Sequence, residues 1–348
     1  MLTCMKEMGK MKDRREFLKS AATGAVLLGS SAAANKFALA GMLAQHAENG
    51  KSRVVVARDV ALHGGGSQLD EKRVLALLDR AMASYTGREK PLEAWKKMVP
   101  PNILKDKVIG LKVNGLGGRG ISTHAVLVLA ICERLQQAGV APGNIVVWDR
   151  NARDLAACGL TINTDRSKVR CYGSDVAGFE EQQEQCGPVR IRLAKILTRE
   201  CAMVINLPIL KDHDMAGMTF SMKNMYGAVD RPNLLHPNNC NPGVADLNCI
   251  AAIREKVTLT IGDAMSSVYQ GGPVFRPEHI WYPNALIVGE DRVAVDHTAW
   301  QMLDRKRVEA GLPTLEAAGR TPRYIETAAD ATHKLGVNDP RLIRVMEV

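Results

Sequence analysis

The sequence contains few aromatic residues and no long apolar run. Phe, Trp and Tyr make up 4% of the 348 residues. No stretch approaches the ~18 consecutive apolar residues that a membrane-spanning helix requires. These absences exclude an integral membrane protein. With 46% apolar and 24% charged residues, the composition also excludes a disordered or collagen-like chain.

The positive charge is too diffuse to indicate nucleic-acid binding. The formal net charge is +9, but seven Lys or Arg and only three Asp or Glu fall within the first forty residues. The remaining excess is spread along the chain, whereas a nucleic-acid interface has a concentrated basic stripe. We therefore expect no nucleic-acid partner.

Several motifs of common enzymes and metal sites are missing. The chain has no P-loop and no C-x-x-C pair, so neither a zinc ribbon nor an iron–sulfur cluster is indicated. His63-Gly64-Gly65-Gly66 is similar to the oxyanion loop of some esterases. Because the G-x-S-x-G elbow is absent, we interpret this segment as a plain loop. Seven cysteines follow residue 40, and one or two disulfides of unreadable pairing are compatible with that number.

The first forty residues have the order of an export signal. A charged segment with Arg14 and Arg15 precedes a mildly apolar stretch, 21–34, and Ala38-Leu39-Ala40 forms a small-x-small cleavage site. The paired arginines and the weak hydrophobicity are typical of a twin-arginine signal, the alternative being an amphipathic helix. We predict a signal peptide over residues 1–40, cleaved after Ala40.

Several expectations follow from this signal. The twin-arginine machinery is a partner, the mature chain is periplasmic, and it is not stably inserted in a membrane after cleavage. Because this machinery carries folded chains, often with a cofactor already bound, the route favours a cofactor.

From residue 52 onward, short β-branched runs alternate with helical stretches. This pattern predicts an α/β fold over residues 41–348, with a mainly parallel sheet and helices on both faces. Turn-forming and charged residues at about 152–188 predict an irregular inserted subdomain. The predicted strands are 53–57, 107–113, 144–149, 202–207, 257–261 and 285–288, and the predicted helices are 70–84, 124–138, 215–226, 245–255, 293–305 and 322–333.

A glycine-rich loop, 115–120, matches the G-x-G-x-x-G pattern between a strand and a helix. Asp149 ends the next predicted strand, where a ribose-binding carboxylate would lie. However, the predicted helix begins only near Thr123, beyond the third glycine. Asp149 also lies about thirty residues after the glycines, whereas the ribose-binding carboxylate usually lies ~20 residues after them. A dinucleotide site, an anion cradle and a plain connection all remain open.

The strongest concentration of chemical groups follows the predicted strand 202–207. Ligands of open α/β sheets bind at the carboxyl ends of strands. We expect Asp214 to cap the helix 215–226 and His213 to project into a crevice beside the anion-favouring helix N-terminus. Four ionisable residues share this turn: Lys211, Asp212, His213 and Asp214.

Further groups extend this segment. Lys223 lies near the end of the predicted helix, His236 follows in a loop, and Asp263 ends a later strand, where it would face the same crevice. Such residues could be acid/base groups, metal ligands or phosphate donors. Each one alone also has an ordinary structural explanation. Four methionines at helical spacing, Met215, Met218, Met222 and Met225, are more typical of a core stripe.

An ordered set of motifs over residues 53–345 resembles domain-of-unknown-function family 362. The resemblance implies the α/β fold and an electron-transfer setting but no substrate. Some members carry ferredoxin-type cysteine motifs, which are absent here. The motifs are Lys112-Val113-Asn114, Thr123-His124, Asn206-Leu207-Pro208 with Lys211 and His213, residues 219–224 with Gly227, Gly262-Asp263, Gly271-Gly272-Pro273, and residues 291–296.

The stretch 213–223 is also similar to the H-x-x-A-G-x-S-G-G-x-K sequence of lactate racemase and its relatives. This resemblance implies that Lys223 tethers a nickel-pincer nicotinic acid nucleotide and that His213 acts as an acid/base group on a 2-hydroxy acid. It also implies that His236 coordinates the metal and that His124 is the second acid/base histidine.

The sequence departs from that pattern at two positions. Phe220 and Ser221 replace two glycines that let a cofactor approach the backbone closely. Thr219, Ser221 and Lys223 could therefore cradle a different anionic ligand.

We thus predict one strand-end crevice that binds a small anionic ligand or a metal- or nucleotide-derived cofactor and supports redox or proton-transfer chemistry. The alternative is a non-catalytic periplasmic binding or electron-transfer protein. The sequence leaves the substrate, the cofactor and the oligomeric state open. The predicted catalytic residues are His213 and His124, the cofactor-binding residues are Lys112, Asn114, Lys211, Thr219, Ser221, Lys223 and Asn224, and the metal ligands are His236 and Asp263.

Overall fold

A central β-sheet organises the residues that a computed structural model describes, 50–63, 68–104 and 106–348. The predicted signal peptide lies outside these residues. The strands in chain order are β1 (Ser52–Arg58), β2 (Val108–Val113), β3 (Ile145–Trp148), β4 (Arg170–Cys171), β5 (Glu184–Cys186), β6 (Val189–Ile191), β7 (Cys201–Leu207), β8 (Ile209–His213), β9 (Gly217–Thr219), β10 (Val257–Val268), β11 (Ile280–Trp281), β12 (Ala285–Gly289) and β13 (Ile343–Glu347).

The helices alternate with these strands over much of the chain. The α-helices are α1 (Glu71–Thr86), α2 (Pro91–Met98), α3 (Pro101–Leu104), α4 (Ala125–Gln137), α5 (Ala152–Ala157), α6 (Ser174–Ala177), α7 (Gly243–Cys249), α8 (Ala251–Lys256), α9 (Arg292–Glu309) and α10 (Tyr324–Ala329). Short 3-10 helices cover Gly118–Gly120, Pro142–Asn144, Lys223–Ala228, Pro232–Leu235, Asn238–Cys240, Pro277–His279 and Pro340–Leu342, and a π-helical turn covers Ile196–Glu200.

The main path of the sheet runs β13-β1-β12-β10-β7-β2-β3-β4. Strands β10, β7, β2, β3 and β4 run parallel to one another, as do β1 and β13, and β12 pairs antiparallel with both β1 and β10. The prediction of a mainly parallel sheet is therefore confirmed, with β12 as an antiparallel interruption. The register sets Val113 opposite Leu207, so the carboxyl ends of β2 and β7 lie side by side.

Two apolar cores lie on opposite faces of the sheet. Along β1, Val54 and Val56 belong to one core and Val55 and Ala57 to the other, as the alternation of strand side chains requires. Helices α1, α2 and α4 cover one face, while α7, α9 and α10 cover the other. The prediction of helices on both faces is also confirmed. Within the described residues, no helix is both long and apolar enough to cross a membrane.

The predicted helix 215–226 is wrong. After β8 the chain turns back into β9, which pairs His213 with Gly217 and Lys211 with Thr219. Gly217 has a φ of 79°, and a Cβ at this position would collide with the carbonyl oxygen of Arg320. This left-handed residue ends any helical repeat, so the expectation that Asp214 caps a helix is wrong too.

Other predicted elements keep their place but change their bounds. The helix predicted over 245–255 divides at Ile250, whose ψ of 128° is extended, into α7 and α8. Three of the four methionines of the stripe are buried in the core, whereas Met215 is exposed at the hairpin turn. In the region 152–188, β4 extends the main sheet by pairing with β3, and β5 begins a separate two-stranded sheet with β6. The seven cysteines of the described residues are free thiols.

Candidate functional site

A cavity of about 340 Å³ lies at the carboxyl ends of the parallel strands. Asn114 follows β2, Asp149 follows β3, and His213 ends β8, so three strand ends contribute to its wall. This is the position at which open α/β sheets bind ligands. Seven of the predicted site residues line it: Asn114, Lys211, His213, Thr219, Lys223, Asn224 and His236.

The β8–β9 hairpin explains how His213 and Lys223 reach the same cavity. Ten residues of straight helix would separate them by ~15 Å along the helix axis. Instead the chain reverses at 214–216, and the 3-10 helix Lys223–Ala228 begins beside the strand end. His213 and Lys223 can therefore share a site because a hairpin stands where the sequence predicts a helix.

Lys112 lies behind the cavity, where it is fully buried and forms an ion pair with Asp149 of the cavity wall. Its Nζ donates to Asp149 Oδ1 at 2.7 Å and to the carbonyl oxygen of Val113 at 2.7 Å, and the second oxygen of Asp149 accepts from the amide of Gly115. Burial lowers the pKa of Lys112, and the neighbouring Asp149 opposes this shift. The pair anchors the glycine-rich loop to the sheet, which is a structural role.

Lys211 is buried with oxygen acceptors but without a carboxylate in contact. Its Nζ donates to Asn114 Oδ1 at 3.1 Å and to the carbonyl oxygens of Leu116 and Ile121 at 2.6 and 3.3 Å. Three acceptors match the three N–H groups of an ammonium ion. Burial nevertheless lowers the pKa of Lys211 to about 7, with Lys223 adding to the effect and Asp149 opposing it.

Lys223 is the charged group of the site with the fewest partners. Its side chain is buried, and its Nζ lies 3.9 Å from the centroid of the Tyr226 ring, a cation–π contact. Burial lowers the pKa of Lys223, while Cys240 and Asp214 act in the opposite direction. Within residues 50–63, 68–104 and 106–348, no carboxylate forms an ion pair with it. The ammonium group therefore faces the cavity without a counter-ion.

His213 faces the cavity as a neutral hydrogen-bond donor. The amide groups of Met215 and Ala216 both lie 3.3 Å from its Nδ1 and donate to it, so the ring proton belongs on Nε2. Burial and the nearby Lys223 lower the pKa of His213 to about 2. The ring is thus held in the uncharged state, which suits donation to an anion better than proton abstraction.

His236 has the opposite tautomer. Its Nδ1 lies 3.0 Å from the carbonyl oxygen of Pro232 and donates to it, which leaves the lone pair on Nε2. The His213 and His236 rings lie 6.3 Å apart, and the Tyr226 ring contacts His236 edge-on at 5.3 Å. Burial and Lys223 lower the pKa of His236. The site therefore offers one imidazole donor and one imidazole acceptor.

Three asparagines connect the lysines through a buried amide network. Asn224 Nδ2 donates to Asn206 Oδ1 at 2.7 Å, and Asn224 Oδ1 accepts from Asn114 Nδ2 at 3.0 Å. Asn114 in turn accepts from Lys211, and Lys112 Nζ lies 3.4 Å from Asn224 Oδ1. The predicted binding residues Asn114 and Asn224 therefore also hold both lysines in place.

The Ser221 side chain points away from the cavity that its neighbours Thr219 and Lys223 line. The Ser221 hydroxyl lies 2.8 Å from Thr260 Oγ1 and 3.2 Å from Asn206 Nδ2. Its amide donates to Asp296 at 2.6 Å. Burial raises the pKa of Asp296 to about 7. The prediction that Ser221 contacts a ligand does not match this geometry, because its hydroxyl is used inside the core.

His124 and Asp263 lie outside the cavity and form a pair with each other. Asp263 Oδ2 accepts from His124 Nδ1 at 2.8 Å and from the His124 amide at 2.9 Å, and the amide of Met265 donates to Oδ1. Burial opposes a charge on His124, but Asp263 outweighs it and raises the pKa of the imidazole. The structure therefore does not bring Asp263 to His236 as a metal-ligand pair, nor His124 to His213.

The glycine-rich loop lacks the geometry of a dinucleotide site. Helix α4 begins at Ala125, beyond the loop, and the amide of His124 at its N-terminus is occupied by Asp263. The carboxylate of Asp149 is occupied by Lys112 and Gly115. A dinucleotide requires a free helix N-terminus for its pyrophosphate and a free carboxylate for its ribose. Both groups are occupied here.

Sequence reasoning missed Tyr226 as a residue of the cavity wall and Cys240 as a neighbour of Lys223. Tyr226 lies three residues beyond Lys223, which is a weak local signal. No sequence pattern marks Cys240 as a site residue, because only the tertiary structure brings it close to Lys223. The backbone at 238–240 has three consecutive residues with φ between 54° and 65°, a strained conformation that places the buried Cys240 thiol beside Lys223.

Comparison with known proteins adds a family and no activity. A search of solved structures finds the crystal structure of a Thermotoga maritima protein from the Northeast Structural Genomics Consortium, with 12% identity and a TM-score of 0.43. The match covers 69% of this chain and 60% of that protein, less than two thirds of its length. A search of curated proteins finds no match. The model of the family described as Domain of unknown function (DUF362) matches residues 109–301, more than half of the sequence, and the chain belongs to that family.

Proposed function

We propose that the cavity binds a small carboxylate or phosphate and that binding is coupled to proton uptake. The observation that carries the proposal is Lys223, a buried ammonium group in a cavity wall with no ion-pairing carboxylate among the described residues. A buried charge of this kind costs stability unless a partner neutralises it. A small anion entering the cavity supplies that partner.

The neighbouring side chains suit an anion in the same position. The Nε2–H of His213 is a donor, and burial together with Lys223 keeps its ring neutral. The basic groups Lys211, His213, Lys223 and His236 all have lowered pKa values. A bound anion favours the protonated form of each of them. Proton uptake on binding follows directly from this arrangement.

His236 is the group that we assign to proton transfer. Its Nε2 carries a lone pair toward the site, and the Pro232 carbonyl oxygen fixes the ring through Nδ1. His213 is less suited to this role because two backbone amides occupy its Nδ1. A ligand held by Lys223 and His213 would pass a proton to Nε2 of His236, as general base catalysis requires. The proposal therefore gives proton transfer to His236, for which the lactate racemase resemblance implies metal coordination, and anion binding to His213, for which it implies the acid/base role.

The residues fit an anion better than a metal built into the protein. No group of three or more His, Cys, Asp or Glu side chains suited to a metal ion occurs in the described part of the chain. His236 could supply one ligand to a metal that a cofactor itself carries, and Lys223 could tether that cofactor. The Phe220 ring packs against Gly262, and the Ser221 hydroxyl forms a hydrogen bond with the Thr260 hydroxyl. The two side chains that replace the glycines of the racemase pattern therefore leave the cavity unobstructed.

Calorimetry with inorganic phosphate and L-lactate tests the proposal. Titrations at pH 6, 7, 8 and 9 in two buffers of different ionisation enthalpy measure both affinity and protons taken up. We expect uptake of protons on binding and an affinity that falls as the pH rises, because the lysines lose their charge. Absence of binding by both anions, or binding without any pH dependence, would contradict the proposal.

Mass spectrometry and elemental analysis of protein purified from its own cell distinguish a free anion from a tethered cofactor. A mass increment on Lys223 or a stoichiometric metal would identify a cofactor. An unmodified, metal-free chain that binds phosphate would favour the non-catalytic binding alternative.

Export through the twin-arginine route is a separate part of the proposal. Arg14 and Arg15 precede the apolar stretch and the Ala38-Leu39-Ala40 site. Replacing both arginines with lysine should leave the uncleaved precursor in the cytoplasm. Unchanged delivery to the periplasm in a fractionation experiment would refute this assignment.

A further inference from the structure

Outside the cavity, three side chains form a second hydrogen-bonded chain. Ser266 Oγ lies 3.1 Å from His124 Nε2, and His124 Nδ1 lies 2.8 Å from Asp263 Oδ2. Ser266 and Asp263 both belong to β10, and His124 immediately precedes α4. None of the three lines the cavity. These three side chains therefore form a group separate from the anion-binding cavity.

The carboxylate determines the tautomer of the histidine. Asp263 is fully buried and accepts from the His124 ring and amide on one oxygen and from the Met265 amide on the other. The ring proton consequently lies on Nδ1, between His124 and Asp263. Nε2 then presents its lone pair to the Ser266 hydroxyl, which donates to it. This order of hydroxyl, imidazole and buried carboxylate is the one that activates serine in acyl-transfer enzymes.

The serine and the histidine lie near an aromatic surface. The side chain of His124 is 20% exposed, whereas Ser266 is 5% exposed. The residue after β11, Tyr282, is exposed and contacts the His63 ring edge-on at 4.6 Å, and burial and the nearby His124 ring both lower the pKa of His63. An exposed aromatic ring favours an apolar acyl group over a free anion, in contrast to the lysine-lined cavity.

We propose that Ser266 is a nucleophile that takes acyl groups from small uncharged esters. Ser266 Oγ adds to the carbonyl carbon of the ester while its proton passes to His124 Nε2. The bond to the alcohol oxygen then breaks, and the alcohol leaves with that proton. Water adds to the acyl-serine in the same way, which releases the carboxylic acid and returns the proton to Ser266. Asp263 is a positioning residue that holds the ring.

A fluorophosphonate probe tests the nucleophile directly, because phosphonylation of serine displaces fluoride and leaves a stable adduct. Intact mass of the full chain should show one phosphonyl group, and peptide mapping should place it on Ser266. Ser266→Ala should abolish the adduct. His124→Gln should lower the labelling rate by about 10²- to 10⁴-fold, the usual contribution of a general base.

Ser267→Ala is the matched control. Ser267 is the next residue of the same strand and is fully buried, and its hydroxyl has no hydrogen-bond partner in the described part of the chain. It should label at the wild-type rate. An unlabelled wild-type chain with a cooperative thermal transition, or an adduct that persists in Ser266→Ala, would overturn the proposal.

Turnover of p-nitrophenyl acetate distinguishes a positioning role of Asp263 from a purely structural role. Asp263→Asn reverses the preferred tautomer, so kcat should fall by about 10⁴-fold while KM stays the same. A general structural loss would instead lower the amount of folded protein and leave kcat per folded molecule unchanged. The latter result would contradict the role of Asp263, and the labelling of Ser266 would still decide the nucleophile independently.

Discussion

Lys112 and Lys223 lie near the same edge of the sheet in opposite electrostatic surroundings. Lys112 donates to Asp149 at 2.7 Å and has further oxygen acceptors. Lys223 lies over the Tyr226 ring instead, with no ion-pairing carboxylate among the described residues. A paired buried charge holds two segments together, whereas an unpaired one destabilises the fold and is retained where a ligand will neutralise it. The comparison separates structural charge from charge available for binding.

The histidines repeat this contrast. Asp263 outweighs the effect of burial on His124 and raises its pKa, whereas burial and Lys223 lower the pKa of His213 to about 2. One imidazole belongs to a closed hydrogen-bonded chain with Ser266, and the other faces an open cavity. Residue type alone did not distinguish them. Four predictions test the contrast, in order of decreasing effect.

Asp149→Ala should cause the largest loss of stability, because it leaves Lys112 buried without its carboxylate. Removing one member of a buried ion pair costs about 3–5 kcal/mol. Urea denaturation measures the free energy of unfolding, with the exposed Asp106→Ala as a control expected to change it by less than about 0.5 kcal/mol. A loss below about 1 kcal/mol would show that the remaining acceptors satisfy Lys112 and would remove the contrast.

Lys223→Met should weaken phosphate binding without reducing stability. Losing a hydrogen bond between charged groups costs about 1.5–3 kcal/mol, which corresponds to a Kd about 10- to 150-fold higher. The free energy of unfolding should stay the same or rise, because no unpaired ammonium is buried any longer. Calorimetry and urea denaturation check both parts, with the exposed Lys107→Met as a control for the charge change. Destabilisation equal to that of Asp149→Ala would place Lys223 among the structural charges.

His213→Gln should flatten the dependence of stability on acid pH. The pKa of His213 is lowered from 6.5 to about 2, so between these values the unfolded chain binds a proton that the folded chain does not. Stability is therefore fully present above pH ~6.5 and falls below it, by up to about 1.4 kcal/mol per pH unit from this group. Unfolding at pH 7, 6, 5 and 4.5 should show a smaller slope in the variant. Equal slopes in both proteins would contradict a neutral, buried His213.

Asp214→Asn should have the smallest effect and the opposite sign. The Asp214 side chain is 69% exposed at the rim, where its negative charge favours the protonated forms of Lys223 and His236 and repels an incoming anion. Removing it should tighten phosphate binding by about two-fold, within the range of exposed charge pairs. The gain should disappear at 0.5 M salt because the charges are screened. Weaker binding would mean that Asp214 contacts the ligand rather than competing with it.

The strand ends were predictable because their patterns are local. Runs such as Ile145–Trp148 are buried along their whole length, and continuous apolar runs of this kind are typical of central parallel strands. The same reasoning placed Asn114, Lys211 and His213 around one crevice, and all three line the cavity, although Lys211 and His213 belong to strand β8 rather than to a turn. The helix 215–226 failed because methionines at spacings of three and four imitate a helical stripe. The left-handed Gly217 and its contact with Arg320, a hundred residues further on, decided the local structure instead.

The sequence by itself determined the class of fold, the family and the segment in which basic groups concentrate. These depend on apolar periodicity and on motifs that are contiguous along the chain. Only the tertiary structure decided which charges have partners: Lys112 with Asp149, and His124 with Asp263 and Ser266. The pKa of a buried group depends on charges and dipoles within a few ångströms. Those neighbours come from distant strands and loops, so their positions exist only after the sheet has assembled.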